Sequence, residues 1–167
     1  LFPAFLAFIY GKDYGFLVGI RAFVLVLSVF ACVLAHELTH SLVAKAFGIQ
    51  TPEITLTPIG GIASLQRIPK NSGQEFLIAL AGPLFNFILA LVLFFPLYFA
   101  LGEKNLFSPS LDSWPGMISN LFWVNPVLGL FNLIPAFPMD GGRILRAFLA
   151  KWLGYSRATR ISIFLGS

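Results

Sequence analysis

Charge is scarce in this chain: Asp, Glu, Lys and Arg together make up 11% of its 167 residues. A soluble domain carries about 25%. The shortfall, with a mean hydropathy of +0.86, argues against a water-exposed surface and for lipid as the solvent. Cysteine is scarcer still. Cys32 stands alone, so no intrachain disulfide can form, and zinc sites built on several cysteines are excluded by count. The lone thiol reads as a small buried hydrophobe, the usual state of a free cysteine. Histidine occurs only at His36 and His40. Neither an internal repeat nor a low-complexity tract is present. The net charge of +4 is read as topology, and no nucleic-acid partner is expected.

What is abundant is apolar sequence. Residues 22–35 and 76–102 contain no charge, and the second run exceeds the roughly 20 residues that cross a bilayer. The expected class is an all-α polytopic membrane protein, a transmembrane helix bundle with a small re-entrant β-hairpin. It reads as one membrane-embedded domain over residues 1–167, with its core at about 16–153. Both termini fall inside apolar runs, so the chain reads as a segment cut through spans.

Along the chain, residues 1–10 read as the tail of a span and 11–15 as a turn. A helix then runs to about Phe47, ended by Lys45 and Gly48. Residues 49–69 alternate at Ile54, Thr55, Leu56 and Thr57, with Gly60 and Gly61 in the middle, and read as the hairpin. Open strand edges are not tolerated facing lipid, so the hairpin should lie against protein, in a cavity or at the interface. Ser72 to Glu75 fits a capping box opening a helix over 74–101. A polar loop follows over 102–115, then a helix from near Met117 that Pro135 and Pro138 should end. Residues 143–153 form an amphipathic piece, with Leu145, Phe148, Leu149 and Trp152 facing one way and Arg143, Arg146 and Lys151 another.

Lys45, Arg67, Lys70, Arg143, Arg146, Lys151, Arg157 and Arg160 fall on one side of this layout, against Lys12, Arg21 and Lys104 on the other. The positive-inside rule makes the first side cytoplasmic.

The chemistry centres on His36-Glu37-Leu38-Thr39-His40. Residues four apart share a helix face, so both imidazoles can reach one Zn²⁺. Glu37 is offset beside them, where it can take a proton from water and pass it to a leaving amine. Five residues alone often match such a pattern by chance. Here the pattern holds both histidines, and Glu37 is an ionisable group inside a predicted span, where such groups are costly and generally functional. Asp140 is a complementary carboxylate in Phe137-Pro138-Met139-Asp140-Gly141-Gly142. It suits a third ligand, leaving a fourth position open as in catalytic zinc sites. The plainer role for Asp140 is a helix cap or a partner for Arg143.

Asn86 and Asn132 are amides in apolar helices. Either could bind the substrate backbone or act as an oxyanion-type donor, or serve as a hydrogen-bonded link between helices. Asn125, before Pro126, reads as structural. The strand edge over Ile54, Thr55, Leu56, Thr57, Gly60 and Gly61 could hold an unwound substrate by strand addition, or simply plug the cavity.

These residues resemble the site-2 protease family of intramembrane metalloproteases. The resemblance rests on the HExxH at 36–40, on Thr57-Pro58-Ile59-Gly60-Gly61, on Ala81-Gly82-Pro83-Leu84-Phe85-Asn86 and on the run from Asn132 to Arg143, in family order. It covers most of residues 22–153. It implies one zinc held by His36, His40 and Asp140, Glu37 as base, and an active site inside the bilayer towards the cytoplasm. It also implies a membrane-protein substrate with a transmembrane helix, already trimmed by another protease. Some relatives carry a C-terminal nucleotide-binding regulatory module, which would lie beyond this chain. The family usually has six spans, and about four plus a partial one are counted here.

Two rivals remain. A membrane HExxH protease of the CAAX-processing type takes a glutamate as third ligand, but Glu53, Glu75 and Glu103 lie outside helix interiors at suitable depth. A non-proteolytic zinc-binding scaffold or transporter would also use broken helices. Glu37 separates these readings, because binding metal does not need it and hydrolysis does.

Overall fold

The computed structural model describes residues 2–49, 53–57, 60–64 and 71–164. The elements are α1 (Phe2–Tyr14), α2 (Phe16–Ala46), β1 (Glu53–Thr57), β2 (Gly60–Ser64), α3 (Ser72–Leu106), α4 (Trp114–Asn132), α5 (Asp140–Leu153) and α6 (Tyr155–Phe164). Among the described residues, the regular structure is helical apart from one strand pair. β1 and β2 pair antiparallel, with Thr57 opposite Gly60 and Glu53 opposite Ser64. The turn expected between them, residues 58 and 59, lies outside the described residues.

Among the described residues, two helices, α2 and α3, are long and apolar enough to cross a membrane. This is fewer than the spans counted from sequence. With 13 residues, α1 is too short, and α4, 19 residues with Pro126 and several polar side chains inside it, is not apolar enough. Leucines 27, 34, 38 and 42 of α2 are exposed at helical spacing, which is the pattern of a lipid-facing stripe.

Close contacts divide the chain into two compact units, Leu1–Val33 with Phe87–Pro126 and Leu34–Asn86 with Val127–Ser167. In the first, the expected turn at 11–15 shrinks to one residue. Gly15 adopts φ 100° and its N–H closes the last turn of α1 on the Gly11 carbonyl at 3.1 Å. Further along, α3 outlasts its expected end at 101. Gly102 breaks its geometry (φ 77°, ψ 160°) and the helix resumes to Leu106. The carbonyl of Leu106, left without a helical partner as at any helix end, accepts from Ser119 Oγ at 2.6 Å and Trp123 Nε1 at 2.9 Å. Ala90, Leu106 and Phe122 form the small core around this point.

The second unit contains the candidate site. There α2 ends as the sequence indicates. Gly48 sits at φ 72°, its N–H bonds the Lys45 carbonyl and that of Ile49 bonds the Ala44 carbonyl. This is a Schellman closure, in which only a residue tolerant of positive φ fits the turn. It folds Ile49 back into a cluster with Ala44 and Ile78, seating the end of α2 on α3.

Three expectations in this unit are corrected. The cap of α3 is Asn71, whose Oδ1 accepts from Gly73 N–H at 2.8 Å and whose carbonyl accepts from Glu75 N–H at 3.1 Å. Glu75 therefore completes no capping box, and its carboxylate turns inward and is fully buried. The amphipathic helix starts at Asp140, three residues before the expected 143. Its buried residues are Asp140, Gly141, Gly142 and Ala147, while Phe148 and Trp152 are 61% and 73% exposed. A helix packed through small residues with aromatics outward is normal where lipid is the solvent. Arg146, expected on the polar surface, is instead paired with buried Glu75.

Candidate metal centre

The site is built on three helices. One turn of α2 separates His36 from His40, and their Nε2 atoms lie 3.1 Å apart. The rings meet edge to face at 80°. Asp140, the first residue of α5, places Oδ2 3.1 Å from His36 Nε2 and 3.0 Å from His40 Nε2. All three side chains are buried.

α3 orients the rings from behind. His40 Nδ1 lies 2.6 Å from the Ile78 carbonyl, and His36 Nδ1 lies 3.3 Å from Asn86 Oδ1. Both acceptors require the proton on Nδ1, which leaves both Nε2 lone pairs pointing at Asp140. Ile78, Gly82 and Asn86 follow at intervals of four, so they line one face of α3. The middle residue explains the close approach. A Cβ at Gly82 would collide with His40 Nε2 and stand 2.6 Å from His36 Nε2.

Asp140 is positioned by a fold-back of the backbone. Asn132 ends α4, and the chain returns through Pro135 and a cis Phe137–Pro138 bond. A turn bond from Met139 N–H to the Ala136 carbonyl, at 2.9 Å, leads into α5. A Cβ at Gly141 would meet the carbonyl oxygens of Leu133 and Ile134, and one at Gly142 would stand 2.8 Å from the Ala136 carbonyl carbon. The double glycine therefore allows the segment 133–136 to lie directly on the start of α5. Asp140 does not act as the cap, a place taken by Met139. Its second oxygen, Oδ1, lies 3.8 Å from Arg143 Nη1.

The donor set fits a zinc ion. Three inward atoms, all acceptors in this tautomer, converge with edges of 3.0 to 3.1 Å. Without a cation they would present lone pairs to one another. Tetrahedral zinc with bonds of 2.0–2.1 Å requires ligand atoms about 3.3 Å apart, so only a small outward adjustment separates this triangle from a ligated one. Among the described residues, this is the His/Cys/Asp/Glu cluster able to hold a metal. Cys32 is not part of it, and Glu75, a carboxylate weighed as a rival ligand, is held by Arg146.

Glu37 is half-buried on α2 between the histidines. Asn132 is not brought to the triad by its amide nitrogen, which donates to the Leu128 carbonyl of its own helix at 3.1 Å. The side chains of β1 and β2 lie outside the described residues. Sequence reasoning missed the Ile78 carbonyl and the roles of Gly82, Glu75, Arg146 and Tyr155. A carbonyl carries no sequence signal. Gly82 carried one in its four-residue register with Ile78 and Asn86.

The profile of peptidase family M50 matches residues 22–108 and 108–166. A zinc metalloprotease of Methanocaldococcus jannaschii is 45% identical over 143 residues, 86% of this chain and 39% of that relative. Stage IV sporulation protein FB of Bacillus subtilis is 27% identical over 133 residues, 78% of this chain and 42% of that protein. The solved structure of the site-2 protease from Methanocaldococcus jannaschii superposes with a TM-score of 0.65 at 38% identity, covering 96% of this chain and 67% of that one. The chain thus spans 39% of the length of the first of these curated relatives. A buried His-His-Asp triad set on an HExxH helix agrees with this kinship, and the chain belongs to peptidase family M50, the zinc metalloproteases that include the site-2 proteases.

Proposed function

We propose that this chain is the catalytic core of an intramembrane zinc metalloendopeptidase that cleaves transmembrane segments of membrane-anchored proteins. The observation that carries the reading is the convergence of His36, His40 and Asp140 on one point at the end of a 31-residue apolar helix. His36 and His40 from α2 and Asp140 from α5 would hold the metal, and three protein ligands are the pattern of a catalytic rather than a structural site. Zinc, when bound, supplies Lewis acidity to peptide hydrolysis.

The chain's own residues supply the rest. Glu37 takes a proton from the attacking water and delivers it to the leaving amine. Asn86 fixes the tautomer and tilt of His36. The low-dielectric surroundings strengthen each of these interactions.

The substrate would be a transmembrane helix that is locally unwound. β1 and β2 form a two-stranded sheet, and the backbone of Ile54, Thr55, Leu56, Thr57, Gly60 and Gly61 offers an edge for the unwound segment. The excess of basic residues after α2 and along α5 and α6 sets this end of the site towards the cytoplasm. The hairpin is then a re-entrant element beside the site, and the whole chain acts as one membrane-embedded domain.

The test is cleavage of a panel of single-span membrane proteins by the purified protein in detergent, with Glu37→Gln and a zinc chelator as controls and mass spectrometry to locate the cut. Cleavage within or beside the span, lost in both controls, is the expected result. Turnover that survives Glu37→Gln overturns the assignment of the base. Stoichiometric zinc with no cleavage of any substrate favours a binding scaffold.

A further inference from the structure

A second buried polar cluster lies in the same unit as the metal triad. The Glu75 carboxylate is fully buried and the Arg146 side chain is 12% exposed. Arg146 donates to Glu75 Oε1 through Nε at 2.9 Å and also through Nη2. Tyr155 Oη donates to Glu75 Oε2 at 2.6 Å. The guanidinium is further flanked by two rings, with its carbon 5.1 Å from the Phe137 centroid and 5.3 Å from that of Tyr155.

These contacts join the parts of the chain that carry the two halves of the metal site. Glu75 lies one turn before Ile78, the residue whose carbonyl holds His40. Arg146 belongs to α5, the helix that Asp140 opens, and Phe137 lies in the fold-back leading to it. The histidines are thus oriented from α3, and the carboxylate is delivered by α5. Nothing within the triad fixes the distance between these elements, whereas a charge-assisted bond has a narrow geometry. A buried ion pair often adds little stability over apolar packing, and its best-attested use is to set register.

We propose that Glu75, Arg146 and Tyr155 are positioning residues that set α5 against α3, and so hold Asp140 at ligand distance from His36 and His40. This rests on the reading of Asp140 as a zinc ligand.

The experiment measures zinc affinity, the absorption spectrum of the cobalt-substituted protein and the melting temperature, all on purified protein in detergent. The main variant is Glu75→Gln with Arg146→Met, which removes both charges and leaves neither orphaned. Tyr155→Phe removes one hydrogen bond, and Asp140→Asn sets the scale for loss of the ligand. In the double variant, zinc affinity should fall by about tenfold, the lower end for residues supporting a ligand. The cobalt bands should shift and melting should stay close to the parent. Parent affinity and parent cobalt spectrum in the double variant overturn the proposal. If the double variant unfolds, Tyr155→Phe decides in the same way: weakened zinc at unchanged melting supports the clamp, and unchanged zinc overturns it. If Asp140→Asn binds zinc like the parent, the ligand reading itself has failed. If Asp140→Asn loses zinc and the double variant does not, only the clamp has failed.

Discussion

Gly82 of α3 faces the space between His40 and His36, because the Cβ it lacks would collide with His40 Nε2. The site is therefore sensitive to one methyl group. Gly82→Ala replaces a poor helix former with the best one, a gain of about 1 kcal/mol in intrinsic propensity. Helicity should be kept or should rise, while zinc per chain, measured by elemental analysis, should fall to near zero. An alanine variant that retains full zinc would show that α3 can move away from the histidines without cost.

Asn86 and His36 form the second contact of this kind. The amide oxygen accepts from Nδ1–H, so Asn86→Leu should release the ring and lower zinc affinity by about 10- to 100-fold. Asn86→Asp keeps an acceptor in place and should bind zinc more tightly than Asn86→Leu. Competition with a chromogenic chelator measures both variants. Equal affinities would mean that the contact at 3.3 Å does not orient the ring.

How much of this was legible in the sequence follows from the range of each interaction. The pairing of His36 with His40 needs only the period of one helix. The end of α2 at Gly48 and the end of α4 before its prolines are equally local. Asp140 is legible as a candidate ligand from its carboxylate in a proline-broken apolar segment, and the family resemblance supports the same role. Its approach across 104 residues to His36 is nonetheless a tertiary contact. An amide at Asn86 in an apolar helix suits a substrate contact or a link between helices, and the structure places it on His36, between α3 and α2. Local rules send Glu75 to a cap and Arg146 to a charged face, since each fits its pattern. Their pairing across 71 residues is a tertiary contact that no local rule sees. The Ile78 carbonyl was beyond reach, since every residue has one.

Removal of the metal should act on the site before the fold. The triad's three side chains come from α2 and α5, while the end of α2 is closed independently by Gly48 and Ile49 against Ala44. Chelation should abolish cleavage, leave the helical circular dichroism of the protein intact, and be reversed by added zinc. Loss of helix on chelation would instead make the zinc structural.

Tyr155 offers a reading of the clamp in solution. It lies outside the two long apolar helices. Burial, and then its hydrogen bond to Glu75, raise its phenol to about 12, above the ordinary value of about 10. A folded-state value above the unfolded one gives stability that is whole below about pH 10 and lost as pH rises through about 12. Tyrosinate absorbance should therefore show one late-titrating tyrosine that Tyr155→Phe removes. If that substitution instead removes a step at the ordinary value of about 10, the hydroxyl lies in free solvent.

Gly141 tests the fold-back that delivers Asp140. Here an added Cβ would meet the carbonyl oxygens of Leu133 and Ile134, which are backbone and cannot rotate away as a side chain can. The strain must be taken up by moving the start of α5 or the segment before it. Overpacking of this kind costs about 1–3 kcal/mol, so Gly141→Ala should melt several degrees below the parent. Asp140 would move with the backbone, so zinc affinity should fall in the same variant even at temperatures where it remains folded. A substitution on the exposed side of the same helix, Phe148→Leu, controls for general loosening of α5 and should leave zinc affinity unchanged. If Gly141→Ala lowers melting while zinc binding stays at the parent level, Asp140 is held by the clamp at Arg146 rather than by the turn that precedes it.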